Sequence, residues 1–409
     1  MLRNLGIIRY SPDIIMDQWE ILFRNLIDMK ILYIINKMTN LAGIERILTC
    51  KMNYLSDMTD YHVFLTTYEQ NGIALSFPQN NKILYRPINV PMPQRERHSF
   101  CYWLISYYHA RKLFRQEIKI LLKDLHPDII ICTNYSFQVL DIILKISQKF
   151  KIKTVIESHT KSETVSMAYK FQYNQQLYKL IRLWDKNILR SLKHCQCVVT
   201  LTKQDIPFWQ QNVKRIEVIP NMLTIAPKYV TNYNVKRVIS AGRYMTEKGF
   251  DRLLSAWHLL PELYNDWSLF IFGNEDRTPY QHIVDSYHLK DKVHLMPATD
   301  SISDEFSKSS LYVMTSRYEG FGLVLAEAMS CGLPCIAFDC PYGPREIISN
   351  GEDGILVKDG DLEELATQMQ LLMSNADLRK AMGQKAIKNI ARYNPKRIMG
   401  QWDNLLKSI

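Results

Sequence analysis

The chain has 409 residues, 47% of them hydrophobic and 22% charged, with 15 Gly, 16 Pro and 8 Cys. This is the composition of an ordinary globular protein of about two domains. It excludes a low-complexity or collagen-like chain, and no apolar run approaches the roughly 18–20 residues of a membrane-spanning helix.

Residues 1–28 break every apolar stretch with charged or polar side chains, which argues against a signal peptide. They read as an N-terminal extension with no role assigned, and Met29 is a second candidate start. From there MKILYIIN (29–36) reads as a buried parallel strand. A loop with Gly43 follows and opens into a helical pattern, the first unit of a doubly wound domain. Further strands are expected at 62–68, 128–134, 153–160, 197–202 and 216–222, with helices at 100–125, after 138 and over 162–193. Residues 223–234 are polar, contain a proline and have no period, as a linker would. A second alternating series puts strands at 235–243, 268–274, 292–298, 311–316 and 333–339, and helices after 249, at 361–383 and at 394–407. Alternation on this scale predicts an α/β chain of two Rossmann-like domains, each a parallel sheet, facing each other across a cleft. The division expected is 29–225, 226–393 and a last helical segment, 394–409.

The net charge of +10 is uneven. Up to Val230 there are 31 Lys and Arg against 18 Asp and Glu, and beyond it 20 against 23. The basic half is expected to meet something anionic: nucleic acid, lipid headgroups or a diphosphate. The eight cysteines match no zinc ligand spacing and read as small buried hydrophobes in a reducing compartment.

Two segments carry chemistry. In SRYEGFGLVLAEAMSCG (316–332), Glu319 closes a strand-to-loop turn, and Gly320 and Gly322 allow close backbone approach to a ligand. A helix starts near Leu323, and its free N–H groups and dipole favour an anion. Glu327 sits on that helix, so both carboxylates are expected to reach one cleft and accept from sugar or ribose hydroxyls. In SAGRYMTEKGF (240–250), Arg243 and Lys248 lie in a strand-to-helix loop and suit a diphosphate. Asp359-Gly360-Asp361 has the form of a metal-binding D-x-D, but it precedes a helical run, so Asp361 reads as a helix N-cap and no metal is expected.

Together with AGIER (42–46), IPNM (219–222), the continuation through PYGPREII (341–348) and NGEDGILV (350–357), these segments resemble the family 4 glycosyltransferases. Those are retaining enzymes of the GT-B fold, and the likeness is to bacterial enzymes of capsule, O-antigen and exopolysaccharide synthesis. The resemblance implies roles. Arg243 and Lys248 would hold a nucleotide diphosphate, helped by backbone N–H groups at Phe321, Gly322 and Leu323. Glu319 would face the donor sugar and Glu327 the ribose. Gly43 would line the cleft from the other domain, and His159 would stand near the donor sugar as a second catalytic group. It implies a nucleotide sugar, UDP-linked, a hexose or N-acetylhexosamine to be moved, no cofactor, and a glycan acceptor linked to polyprenyl diphosphate at the cytoplasmic membrane face. The basic, aromatic 100–125 helix could then rest on anionic lipid. Similar enzymes bring the last helix back to the first domain, where Trp402 would pack. The chain departs from the family with Ala42 before Gly43, and with FGNED (272–276) where a G-x-G turn is common. The alternatives are another GT-B nucleotide-sugar enzyme, an epimerase or hydrolase, and a basic nucleic-acid-binding protein. No nucleic-acid module is apparent, and no nucleic-acid partner is expected.

Overall fold

The computed structural model describes residues 29–39, 43–93, 99–133, 137–159, 182, 185–227 and 230–409. The N-terminal extension, Ala42 and most of the helix expected over 162–193 lie outside them.

The first apolar run forms β1 (Lys30–Ile35), which is buried from Ile31 onward because helices cover both faces of its sheet. Helix α1 (Gly43–Met58) follows, then β2 (His62–Thr67), β3 (Leu84–Tyr85) and the long α2 (Phe100–Leu125). Next come β4 (Ile129–Thr133), α3 (Phe137–Phe150), β5 (Lys153–Ser158), β6 (Cys197–Thr200), α4 (Ile206–Trp209) and β7 (Ile216–Val218). The seven strands make one sheet in the order β3-β2-β1-β4-β5-β6-β7, and every pair is parallel.

The second series gives β8 (Arg237–Ala241), α5 (Phe250–His258), β9 (Ser268–Gly273), α6 (Thr278–Ser286), β10 (Val293–Pro297), α7 (Ile302–Ser307) and β11 (Leu311–Met314). It continues with α8 (Leu323–Ser330), β12 (Cys335–Phe338), α9 (Pro344–Ile347) and β13 (Ile355–Val357). Its sheet runs β10-β9-β8-β11-β12-β13, again all parallel. Two parallel α/β sheets of this order bear out the fold class. In each, the strand order reverses beside the first strand, between β1 and β4 and between β8 and β11, and such switch points open a crevice at the carboxyl ends.

Three helices close the chain: α10 (Leu362–Ser374), α11 (Ala376–Ile390) and α12 (Pro395–Ser408). The single helix expected over 361–383 is two. Asn375 leaves the helical region and its side chain accepts from Leu378 N at 2.9 Å, capping a new helix. The short strands β3 and β13 were not anticipated. Both lie at sheet edges, where two or three residues suffice and no long apolar run is needed.

The chain crosses between the domains twice, and the crossings touch: Leu223 N donates to Tyr393 O at 2.9 Å. Beyond them α12 lies on the first domain. It buries Ile398, Met399, Trp402, Leu405 and Leu406, and Tyr61 donates to Asp403 at 2.5 Å. One hydrophobic cluster therefore runs from β1 and α1 through α12 into α8 and β12.

The cysteines are all free. Six are buried, Cys50 is half-buried and Cys101 is exposed. Burial pushes the Cys331 thiol up to about 12, so it stays protonated and unreactive.

Candidate active site

The loops that leave β8 and β11, the two strands flanking the second switch point, meet. Lys248 ends a single 3₁₀ turn (Thr246–Lys248), and Gly249 then starts α5 with φ +65°. A Cβ at Gly249 would stand 2.1 Å from Thr315 O, so only glycine lets the two loops approach this closely. The approach lets Lys248 Nζ reach Glu319 Oε1 at 2.7 Å, and Ser316 Oγ donates to the same oxygen at 2.6 Å. Both charged side chains are mostly shielded, with 22% of Lys248 and 12% of Glu319 exposed.

Arg243 lies in the same loop as Lys248. It is more open, and its guanidinium donates to Glu247 at 3.3 Å. A surface pair this long holds little energy, so Arg243 can turn to another anion.

Glu319, Gly320 and Phe321 lead into α8, whose N-cap is Gly322 at φ +92°. Phe321 is buried edge-on against Tyr393, with ring centroids 5.2 Å apart. The N–H groups that start α8 thus follow directly on the loop bearing Glu319. The segment after β12 backs this loop, where Glu319 N donates to Pro341 O at 3.2 Å. It also spans the domains, because Tyr342 N donates to Gln204 Oε1 at 2.8 Å.

Glu327 sits one turn along α8, at the domain junction, with 1% of its side chain exposed. Its Oε1 accepts from Arg46 of α1 at 2.5 Å and from Thr224 at 2.6 Å. Its Oε2 is buried and has no hydrogen-bond partner among the described residues. Burial raises its carboxyl pKa, against the lowering by Arg46 and Thr224. Gly43, at the start of α1, meets the second domain as well: a Cβ there would lie 3.6 Å from Leu323 Cδ2.

His159 belongs to a separate group in the first domain. It follows β5, is buried, and shares a 2.8 Å hydrogen bond through Nε2 with Glu157 Oε2. The same oxygen accepts from the ammonium of buried Lys51.

The structure thus brings Lys248 to Glu319 and Gly43 to Leu323, and it ties Glu327 to the first domain. Sequence reasoning did not single out Arg46, Thr224, Lys51 or Glu157. Arg46 stands inside the AGIER stretch, which was its one signal. Asp361 is a helix N-cap, as expected, accepting from Glu364 N at 3.0 Å, while Asp359 pairs with Arg252 at 2.7 Å. The glycine of FGNED has a packing reason: a Cβ at Gly273 would stand 2.1 Å from Gly242 O.

Residues 223–389 match the family model described as glycosyl transferases group 1. An uncharacterised glycosyltransferase of Haemophilus influenzae is 28% identical over 74% of this chain and 81% of its own length. The amylovoran biosynthesis glycosyltransferase AmsD of Erwinia amylovora is 28% identical over 92% of this chain and 99% of its own. Among solved structures, HepE of Anabaena in complex with UDP and glucose superposes with a TM-score of 0.67. It covers 93% of this chain and all of the other at 16% identity, a likeness of fold. Residues 223–389 are thus a domain of the glycosyl transferases group 1 family, and the chain that carries them is a glycosyltransferase with the GT-B fold.

Proposed function

We propose that the chain is a retaining, metal-independent glycosyltransferase of cell-surface polysaccharide synthesis. It moves a hexose or N-acetylhexosamine from a UDP-sugar to a glycan acceptor. The observation that carries this reading is the 2.7 Å contact of Lys248 with Glu319 at the switch point of the second sheet. It sets a cation for a diphosphate beside a carboxylate for sugar hydroxyls, next to the N-terminus of α8. The names of AmsD, for amylovoran, and of HepE, solved with UDP and glucose, support the substrate classes.

In this reading Arg243, Lys248 and the N–H groups of Phe321, Gly322 and Leu323 hold the diphosphate. Gly320 and Gly43 leave room for the ligand, and His159 stands near the donor sugar. Glu327 binds the ribose, and a ribose hydroxyl would satisfy its buried Oε2, an atom costly to leave without a donor. The bond between the anomeric carbon and the diphosphate oxygen breaks, and its electron pair leaves with the diphosphate. The acceptor hydroxyl oxygen bonds to the same face of that carbon, and its proton passes to the leaving phosphate oxygen. Positive charge grows on the sugar while negative charge grows on the diphosphate, where fixed cations and the α8 dipole stabilise it.

The acceptor is a glycan on polyprenyl diphosphate, met at the cytoplasmic face of the membrane. Among the described residues no helix is long and apolar enough to cross a membrane. Contact would come from α2. Its Trp103, Tyr107 and Phe114 are core, whereas Ile105, Tyr108, Leu113 and Ile120 are exposed beside exposed Lys112, Arg115, Lys119 and Lys123. A face of this kind suits anionic lipid. Sedimentation with liposomes is expected to rise with anionic lipid content, and binding indifferent to lipid charge would remove this part.

The central test is a thermal-shift screen with UDP, GDP, ADP, CMP and UDP-sugars, without added metal. A UDP-selective rise lost in Lys248→Ala is the expected result, since a ligand of the folded state raises the melting temperature. No shift with any nucleotide would overturn the reading. Turnover of a UDP-sugar without an acceptor would favour a hydrolase or epimerase.

A further inference from the structure

Odd-numbered residues of β5 face one side of the first sheet, so Val155, Glu157 and, just past the strand, His159 point the same way. That side is covered by α1 and α12. Glu157 is therefore carried into an otherwise largely apolar core, where Lys51 of α1 meets it. Lys51 of α1 and Glu157 are each 2% or less exposed, and they form an ion pair. The Lys51 ammonium lies 4.1 Å from the centroid of the Trp402 ring on α12, a cation–π contact that seals its other side from water. A fully buried ion pair seldom stabilises a fold more than an apolar pair would, so its presence calls for another role.

That role is visible in the third member. Glu157 Oε2 receives the Lys51 ammonium and also stands 2.8 Å from His159 Nε2. An ionised carboxylate can only accept, so the imidazole must donate from Nε2, which leaves Nδ1 as the acceptor of the ring. We propose that Glu157, anchored by Lys51 beneath Trp402, is a positioning residue that fixes the tautomer and orientation of His159. The proposal rests on the reading of His159 as the first-domain group near the donor sugar. Protonation states agree with it. Burial would raise the Glu157 carboxyl, but the Lys51 charge and the His159 hydrogen bond outweigh it and hold it at about 2. Burial lowers the His159 pKa, against the pull of Glu157, which favours the neutral ring. The last helix of the chain thereby seals the far end of a chain of contacts that ends at the histidine.

The test uses the full-length enzyme and two readouts. In the wild type, the ¹⁵N shifts of the His159 ring, assigned by their loss in His159→Gln, are expected to show the Nε2-protonated neutral tautomer at pH 7. An Nδ1-protonated ring would overturn the proposal, whatever any variant does. The second readout is the paired variant Lys51→Met with Glu157→Gln, which removes both charges together and keeps the side-chain volumes. The amide can offer His159 either its oxygen or its NH₂, so the tautomer is no longer enforced. We expect kcat to fall by about tenfold or more while the UDP dissociation constant stays within about twofold, the split that marks a group acting on the reaction step rather than on binding. A folded pair variant with kcat within about twofold of wild type, beside an impaired His159→Ala, would sink the positioning role. If His159→Ala keeps full kcat, the donor-sugar reading of His159 fails instead, and the tautomer measurement still decides whether Glu157 sets the ring. Should the pair variant not fold, the wild-type spectrum decides by itself.

Discussion

Lys248 and Glu319 stand 71 positions apart in the chain and 2.7 Å apart in space. If Lys248 neutralises a leaving diphosphate, Lys248→Ala should lower kcat by about 100-fold or more, the scale of losing one preorganised electrostatic group. A steady-state assay with a UDP-sugar checks this, and undiminished turnover would remove the role. Glu157 yields a stability prediction. Its folded pKa, about 2, lies below the ordinary carboxylate value near 4.3. A depressed carboxyl stabilises the fold above its unfolded pKa and loses that contribution as pH falls toward the folded one. The melting temperature should therefore drop between about pH 4.5 and pH 2, and less steeply in the paired Lys51→Met, Glu157→Gln variant. Equal slopes in both proteins would contradict it. Glu327 has the opposite sign, because its raised carboxyl favours the fold at low pH and loses that contribution as pH rises through its folded pKa.

The strands could be placed from sequence because parallel strands are buried on both faces. Runs such as Ile129–Cys132 or Leu311–Met314 have no polar alternation to confuse with a helix. Caps were legible in part. Asp361 announced itself by the acidic turn after it, whereas Asn375 sits between two helical runs rich in Leu, Met, Ala and Lys and looks like one more turn. Asp361→Ala should cost about 1 kcal/mol of stability and leave kcat unchanged. Thermal melts and a kinetic assay check both, and a lost activity restored by a divalent ion would revive the metal reading. For α12, Trp402 is almost wholly buried between the domains' shared core and Lys51. Trp402→Ala should cost about 3–5 kcal/mol, as large aromatic truncations do, and the loss would be read by denaturant titration.

At the scale of the whole molecule, the site exists because two sheets face each other and the chain between them crosses twice at one place, Leu223 beside Tyr393. Arg46, Thr224 and Glu327 tie the domains at that junction. Arg46→Ala leaves a buried carboxylate without its cation, so it should destabilise the interdomain contact and weaken UDP binding, read by calorimetry; unchanged affinity and melting would show that the pair is incidental. From its amino acids alone, this protein declares two parallel α/β domains, a glycine-rich loop ahead of a helix, and the cations and carboxylates of its second domain. Those features are local: they follow from periodicity, from turn chemistry and from motifs a few residues long. Lys51 and Glu157 carry no such mark, because a lysine on a helix or a glutamate in a strand looks the same in sequence whether it faces water or a buried partner. Only the tertiary structure decided that these charges lie inside, since burial depends on which helix covers which face of a sheet, and that is settled by contacts between residues up to several hundred positions apart.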